Sequence, residues 1–591
     1  MSMRDTLAEY TTPAGAAGDI LKAAAISQAA SLKVNSPVAK LKKLHRHLRT
    51  AAQNIQSQNF REAGALALKA LDIDEKNPLA NHIAAIAMDR MGNYELALKL
   101  YLRAVEFDPT NPEIFENLGL LAWRIAKMEQ AERFFRLQMQ LEPGSINASN
   151  NLGCVLRDQG RYNEAIEILR SAIYSHPEAA ILWSALGATM MEQSLTDEAL
   201  QFHQEAERLA PNSSRIQHNL GYTYTVRGEP DKALEHFDRA KDINDLPADE
   251  AAVSLYARAL ALVALGRLEE GWDAYKVMHT PAYRKGTRYF MDIPEWTDGQ
   301  SLEGRKLLLM GEQGLGDEVL FMSMANDIKQ KLVGPDGRVG ISCEPRLVKL
   351  FERSFPDFEI MPHATKGMHG GTLRVPKPRD GTLDYDCWMR MSTPLRLLRN
   401  NVEDFHQPET GFLKADPERV AHWRAVLDDF GPGVKAGLLW KSRIMTANRH
   451  KNFAAFDLWK PALQTPGVVW INLQYGSSAE ELEIAREKFG VDIKTLPGID
   501  LMNDLDEIAA LGQALDMMVG PSNASLNLAA GAGGEIWMVA PEKGWTLLGQ
   551  DKYLWYPNTR LFTSPGMGNW QIAISKLAKA LADRAAERKA A

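Results

Sequence analysis

Several features that would mark a secreted, membrane or metal protein are scarce in this sequence. It has three cysteines in 591 residues, Cys154, Cys343 and Cys387, odd in number and without a C-x-x-C pair. That excludes a disulfide framework or a paired-cysteine zinc site and predicts a reducing compartment. No apolar run reaches the ~18 residues that a bilayer span requires, so no membrane partner is expected. The start, MSMRDTLAEYTTP, carries acids and no apolar core of the secretory kind, and a cytoplasmic protein is expected. Basic residues are in deficit: 68 Lys and Arg against 75 Asp and Glu leave a formal charge of -7, which argues against a nucleic-acid partner held by a basic surface. The thirteen histidines include no H-E-x-x-H pair, and no D-x-D stands at a predicted strand end, so the reading includes no metal.

What is present begins with a repeat. Small residues recur every 34 positions at Ala85, Gly119, Gly153, Gly187 and Gly221, alanine at Ala63, Ala97, Ala131, Ala165, Ala199 and Ala233, and proline at Pro109, Pro143, Pro177 and Pro211. Each unit, such as NASNNLGCVLRDQGRYNEAIEILRSAIYSHPEA, shows two helical apolar periods split by a polar turn and closed by proline. The period, the small residues and the closing proline together match the tetratricopeptide repeat. Six units run in register from about 44 to 247, and a seventh, around ALVALGRLEEGWDAY, has slipped by four residues so that Gly271 takes the alanine position. Stacked units of this kind form an α-solenoid whose concave face suits an extended polypeptide. Residues 1–43 read as a helical or mobile lead-in and 44–285 as the repeat domain.

Asn117, Asn151 and Asn219 occupy one place in their units, before the Leu-Gly pair of the first helix. An amide offers a donor and an acceptor, so such residues can pair with a bound peptide backbone whatever its sequence. The pattern resembles the asparagine ladder in the repeat domain of the eukaryotic O-linked N-acetylglucosamine transferase, which would make these three acceptor-peptide residues. The plainer alternative is asparagine tolerated at a solvated helical position, since Ala185 and Ile83 stand there in other units.

From about 286 the period stops and strand–helix alternation begins. RKLLLM, GRVGIS and DFEIMP read as strands of a parallel sheet with crossover helices. QPETGFLKADPERVAHWRAVLDDFGPG reads as a connection, and VKAGLLW, VVWINLQ, DIKTLP, DMMVG and EIWMVA come after it as strands of a second sheet. GEQGLGDEVLF, VVWINLQYGSSAEEL, DLDEIAALGQALDMMVGPSNASLNLAAGAGG and LWYPNTRLF together resemble the bacterial glycosyltransferases that carry tetratricopeptide repeats, related to the heptosyltransferase-like GT-B enzymes. Among those the resemblance is greatest to the flagellin glycosyltransferases of alphaproteobacteria. It implies an α/β GT-B catalytic body of two Rossmann-like domains, 286–430 on the acceptor side and 431–591 on the nucleotide-sugar side. It also implies metal-independent, inverting transfer of a nonulosonic acid, pseudaminic or legionaminic, from a nucleotide sugar to serine or threonine of flagellin. The nucleotide sugar would be a substrate, and no further cofactor is expected.

The glycines of GEQGLGD make neither a G-x-G-x-x-G order nor a P-loop ending, so phosphate cradling by this turn is not expected. Asp317 has two readings, a helix N-cap or, as the resemblance implies for the Gly316-Asp317 pair, the general base; Glu312 is the reserve candidate. A departing phosphate needs positive partners, and WKSRIMTANRHKNF supplies Lys441, Arg443, Arg449 and Lys451, of which Lys451 matches the family's phosphate-binding lysine. A solvated basic turn is the alternative. PSNASLNLAAGAG opens a helix after a strand, an anion site in principle, aided by Ser522, Asn523 and Ser525; the alternative is capping by Ser522 or Asn523 alone. Relatives often have aspartate at the place of Ser522, and its loss here would suit a cytidine monophosphate carrier. Asn472, Gln474 and Tyr475 end another strand where base or ribose contact is expected, while Trp555-Tyr556-Pro557 reads as packing, with a nucleotide contact as the alternative. Two rival functions stand beside this one: a non-catalytic repeat scaffold, and a transferase acting on a surface glycan.

Overall fold

The computed structural model describes residues 37–368, 370–406, 408, 410–443 and 447–590. The lead-in up to residue 36 and Ile444–Thr446 of the basic loop therefore lie outside the described residues. The chain divides into two compact units, one comprising the residues up to Gln193 with Gln201–Leu209, the other Ser194–Leu200 with Ala210–Ala591.

The first unit is built from helix pairs: α1 (Pro37–Gln56) with α2 (Phe60–Leu71), α3 (Pro78–Arg90) with α4 (Tyr94–Phe107), α5 (Pro112–Arg124) with α6 (Met128–Leu141), α7 (Ile146–Asp158) with α8 (Tyr162–Ser175), and α9 (Ala180–Glu192) with the Gln201–Leu209 part of α10 (Thr196–Leu209), whose first residues are counted with the second unit. Its first helix begins at Pro37, inside the segment read as a lead-in. Local chemistry sets the ends. Asn77 and Asn111 cap α3 and α5 with proline at the first helical position, Asn93 and Ser145 cap α4 and α7, and the repeat prolines fall two residues beyond α4, α6, α8 and α10. The alanine register is the seam, since Ala63, Ala97, Ala131, Ala165 and Ala199 are all fully buried.

The glycine register has a partner that the sequence reading did not single out. A Cβ on Gly119 would lie 2.4 Å from the Phe135 ring, one on Gly153 2.8 Å from Leu169, one on Gly187 2.5 Å from His203, and one on Gly221 2.7 Å from Phe237. Each first helix thus leaves a notch that a large side chain of the second helix fills, and dense packing makes the notch specific. Gly119→Ala is expected to destabilise the protein: overpacking against the ring costs about 1–3 kcal/mol, against about 1 kcal/mol regained in helix propensity. A lower thermal midpoint is the expected result, and an unchanged or higher one would show that the ring can move aside.

The second unit opens with two more pairs, α11 (Ser214–Arg227) with α12 (Pro230–Ile243) and α13 (Ala248–Ala264) with α14 (Leu268–Tyr275). α13 has 17 residues where α11 has 14, and the three extra residues, with a connection to the next helix longer by one, account for the four-residue slip of the last unit. These helices are cemented to the sheet-bearing part of the same unit. Trp272 Nε1 donates to Arg399 O at 2.8 Å. Gly228, with φ of 78°, lies so close to Pro565 that a Cβ would sit 1.9 Å from its carbonyl oxygen.

Two six-stranded sheets complete this unit. In the first, β1 (Thr287–Tyr289), β2 (Lys306–Met310), β3 (Arg338–Cys343), β4 (Glu359–Met368), β5 (Gly371–Pro376) and β6 (Cys387–Arg390) lie in the order β1-β5-β4-β3-β2-β6. All neighbours are parallel except β4 and β5, which form an antiparallel hairpin. The three predicted strands are β2, β3 and β4. The sheet is mixed rather than purely parallel because β4 runs on past Pro362 into that hairpin. In the second sheet, β7 (Val434–Leu438), β8 (Val468–Asn472), β9 (Lys494–Thr495), β10 (Met517–Pro521), β11 (Ile536–Pro541) and β12 (Thr559–Ser564) are all parallel, in the order β12-β11-β10-β7-β8-β9. The chain moves outward from β7 through β8 to β9, then returns to the other side of β7 for β10 to β12.

Candidate functional site

Each sheet has a place where neighbouring strands lead away in opposite directions, and in open α/β sheets ligands bind at the carboxyl ends of the strands there. In the first sheet that place lies between β2 and β6. The turn after β2 is GEQGLGD, leading into α15 (Leu315–Phe321). In the second sheet it lies between β7 and β10, whose ends carry the basic loop and α16 (Ala524–Gly531).

The turn is held at nearly every residue. Tyr289 Oη donates to Gly311 O at 3.0 Å, and Ser392 N donates to Glu312 Oε1 at 2.7 Å. Gln313 adopts the left-handed conformation, φ 56°; its amide bonds to the Tyr275 hydroxyl of α14, and its carbonyl accepts Arg374 Nη2 at 2.7 Å. Below the turn lies fully buried Glu318, whose carboxylate accepts from Arg374 Nη1 at 2.7 Å, from Glu344 N at 2.8 Å, and pairs with His363 Nε2 at 3.1 Å. Gly311 is required by this arrangement, because a Cβ there would come within 2.7 Å of the Glu318 carboxyl.

Asp317 sits at the third position of α15. It is therefore not the N-cap that one reading gave it; Gly314 has that place, and Asp317 Oδ2 reaches back to accept Gly314 N at 3.0 Å. Its carboxyl is pushed up to about 6, chiefly by burial, with the charges of Glu312 and Glu318 adding and the Gly314 hydrogen bond opposing. Glu312 is 1% exposed and stands 3.7 Å from His279 Nε2. It is a buried brace of the turn, with Asp317 nearer the surface.

The two sheet bodies meet at this point. Asn527 Nδ2 of α16 donates to Gly316 O at 3.0 Å, and a Cβ on Gly316 would lie 3.4 Å from Ala524. Asn523 is the N-cap of α16, accepting Leu526 N at 3.0 Å, while Ser522 is exposed and Ser525 buried. The charge of Asp317 acts on four tyrosines: Tyr256 and Tyr275 from the last helix pair, Tyr553 and Tyr556 from the loop before β12. Burial raises all four phenols first, and the carboxylate raises them further. Elsewhere the bodies are tied by the Arg353–Asp506 ion pair and by Arg346 Nη1 to Met502 O at 2.8 Å.

The predicted phosphate cluster separates into different environments. Lys441 pairs with Glu481. Lys451 is 5% exposed and holds its ammonium 4.7 Å from the Tyr222 ring centroid of α11, a cation–π contact. Arg443 and Arg449 are exposed, and both charges act on Tyr475 at the end of β8. Asn472 and Gln474, expected at base or ribose, are taken up by the protein itself. Gln474 Oε1 accepts Trp440 N and Lys441 N at 3.1 and 3.0 Å, its Nε2 donates to Lys441 O and Tyr475 O, and Asn472 Oδ1 accepts Gln474 N at 3.0 Å. These amides brace the ends of β7 and β8; Tyr475 remains half-buried beside Arg443 and Arg449.

In the repeats, Asn117 spends its Nδ2 on His82 Nε2 at 3.1 Å and Glu113 O at 2.9 Å. Asn151 is 9% exposed, and Asn219, in the second unit, is half-buried. Arg374, Glu318 and the four tyrosines escaped the sequence reading: they come from distant segments, so no local spacing links them. Only the LWYPNTRLF stretch carried Tyr556 into view. Among the described residues no cluster of His, Cys, Asp and Glu is gathered as a metal site would need, and no helix is long and apolar enough to cross a membrane.

A family model described as the Cilia and flagella-associated protein 70 middle TPR-like domain matches residues 82–210. Protein FlbA of Caulobacter vibrioides is 44% identical over 338 residues, covering 57% of this chain and 56% of that protein. The chain thus spans little more than half the length of this curated relative. Among solved structures, a tetratricopeptide repeat protein from Parabacteroides merdae is similar at 18% identity and a TM-score of 0.35, over 42% of this chain and 91% of that one. PilF of Pseudomonas aeruginosa is similar at 17% identity and a TM-score of 0.30, over 35% and 93%. The chain carries a TPR-like helical domain and, after it, one mixed and one parallel sheet.

Proposed function

We propose that the protein is a GT-B protein O-glycosyltransferase whose repeats hold flagellin and whose two sheet bodies transfer a nonulosonic acid from a cytidine monophosphate carrier to serine or threonine. The observation that carries this reading is the Gly316-Asp317 turn at one switch point meeting the start of α16 at the other. A carboxylate with a pKa of about 6 is ionised at neutral pH yet basic enough to take a proton as the acceptor hydroxyl attacks. The hydroxyl oxygen would bond to the anomeric carbon as the bond to phosphate breaks, with inversion. The leaving phosphate would find Arg443 and Arg449, the exposed members of the basic loop. Flagellin as acceptor rests on the resemblance in the sequence, and similarity to Protein FlbA is in keeping with a flagellum-related role.

A second reading, a scaffold that binds without transferring, is favoured by the engagement of Lys441 with Glu481 and of Lys451 with Tyr222. Intact-mass measurement of flagellin from cells with and without this protein separates the two. Transfer predicts that flagellin loses the mass of one or more acidic sugars when the protein is absent. Equal masses with impaired assembly would favour the scaffold.

A further inference from the structure

The last repeat helix does more than cover the first sheet body, because it holds the turn that carries Asp317. Gln313 Nε2 donates to the Tyr275 hydroxyl of α14 and lies 3.5 Å from Met278 Sδ in the 3₁₀ turn Lys276–His279 that follows. At the end of that turn His279 Nε2 stands 3.2 Å from Ser392 Oγ, and the Ser392 N–H is the donor that Glu312 accepts at 2.7 Å. Two successive residues before the start of α15, Glu312 and Gln313, are thus anchored to the last repeat pair. Trp272, one helical turn before Tyr275, adds its bond to Arg399 O, so α14 is itself seated on the sheet body.

Gln313 needs such an anchor. Its φ of 56° lies in the left-handed region, which residues other than glycine keep only when their surroundings impose it. The peptide that joins it to Gly314 is held on both sides: the Gln313 carbonyl accepts Arg374 Nη2 at 2.7 Å, and the Gly314 N–H donates to Asp317 Oδ2 at 3.0 Å. Relaxation of Gln313 toward an ordinary φ would swing that peptide plane and take from the Asp317 carboxylate the bond that orients it. The Tyr275 hydroxyl is a fixed point for the amide, because Tyr256, Trp272 and His279 box in its ring with centroids 5.5, 6.1 and 6.3 Å away.

We infer that Tyr275 is a positioning residue for the transfer reaction: through its bond to the Gln313 amide it keeps Gln313 left-handed and so fixes the Asp317 carboxylate. The last repeat pair is then part of the reaction centre. The inference rests on the transfer reading above and adds to it a residue outside both sheet bodies. Tyr275 acts on the turn and not on either substrate, so loss of its hydroxyl slows the chemical step and leaves binding alone.

The test measures initial rates of transfer from CMP-pseudaminic acid to flagellin by the full-length wild type, Tyr275→Phe, Gln313→Ala and the double variant, each below its own thermal midpoint. Tyr275→Phe keeps the ring and its packing. The expected result is a kcat lower by about 10–100-fold in each single variant, with KM values for both substrates within about twofold of wild type. The double variant should be no slower than the slower single one, because both changes break the same bond. A Tyr275→Phe kcat within about twofold of wild type, a loss carried by raised KM values, or losses that multiply in the double variant each overturn the positioning role and leave the transfer reading intact. A wild type that moves no sugar removes the transfer reading and the inference with it.

Discussion

Asp317→Asn is expected to slow transfer at pH 7.5 by about 10²–10⁴-fold, the usual contribution of a positioned general base, while making the protein more stable. The amide can still accept Gly314 N–H, so the start of α15 keeps its bond. The stability change has its origin in the raised pKa. A carboxyl that moves from 3.8 to about 6 on folding binds its proton more tightly in the folded state. Its favourable contribution is complete below the unfolded value and is lost as pH rises through about 6. At neutral pH the folded protein therefore carries an ionised group at a cost of up to ~3 kcal/mol, less whatever solvent screening returns at this partly exposed position. Asparagine removes that cost. Wild-type stability should rise as pH falls from 6.5 to 4.5 through this group, and the variant should lack that component. Wild-type rates should fall on the acid side of about 6. Initial rates and urea unfolding at several pH values read both effects. Activity within about twofold of wild type would remove Asp317 from the chemistry.

Arg374→Met should cost about 3–5 kcal/mol, because it leaves the buried Glu318 carboxylate short of its main counter-charge. The same change frees the Gln313 carbonyl, which Arg374 holds at 2.7 Å, and so loosens the turn that carries Asp317. Replacing both members, Arg374→Met with Glu318→Leu, should restore much of the stability, since a buried pair is often neutral when exchanged for apolar groups. The double variant should still transfer slowly, because the turn has lost its brace. Chemical unfolding of the three proteins tests this. Additive losses in the double variant would show that the two residues do not act as a pair.

The repeats were the most legible part of the chain, since one interval of 34 residues carries alanine, glycine and proline in register. The slip at Gly271 was also visible, and its cause, three added residues in α13 and one in the connection after it, was not. Strands β2, β3, β7, β8, β10 and β11 announced themselves as apolar runs. β1 has three residues and β5 reads GTLRVP, its arginine turned toward buried Glu318, so neither has an apolar signature. Asn472 and Gln474 show a deeper ambiguity. An amide at a strand end serves a ligand or a neighbouring loop equally well, and only the surrounding N–H and C=O groups decide between them. Asp317 was assigned from its place in the turn, and only the structure shows it at the third position of α15, past the cap and bonded back to Gly314 N, with surroundings that raise its pKa. The tyrosines that feel its charge come from positions 256 to 556, too far apart in sequence for any local spacing to link them.

The most direct test of the account is transfer with purified components. Flagellin, CMP-pseudaminic acid and the full-length protein are combined, and the flagellin is weighed by intact-mass spectrometry beside a reaction containing Asp317→Asn. The account predicts that flagellin gains the mass of whole sugar residues with the wild type and almost none with the variant over the same time. Flagellin unchanged in both reactions, although the wild type binds the nucleotide sugar, would contradict it.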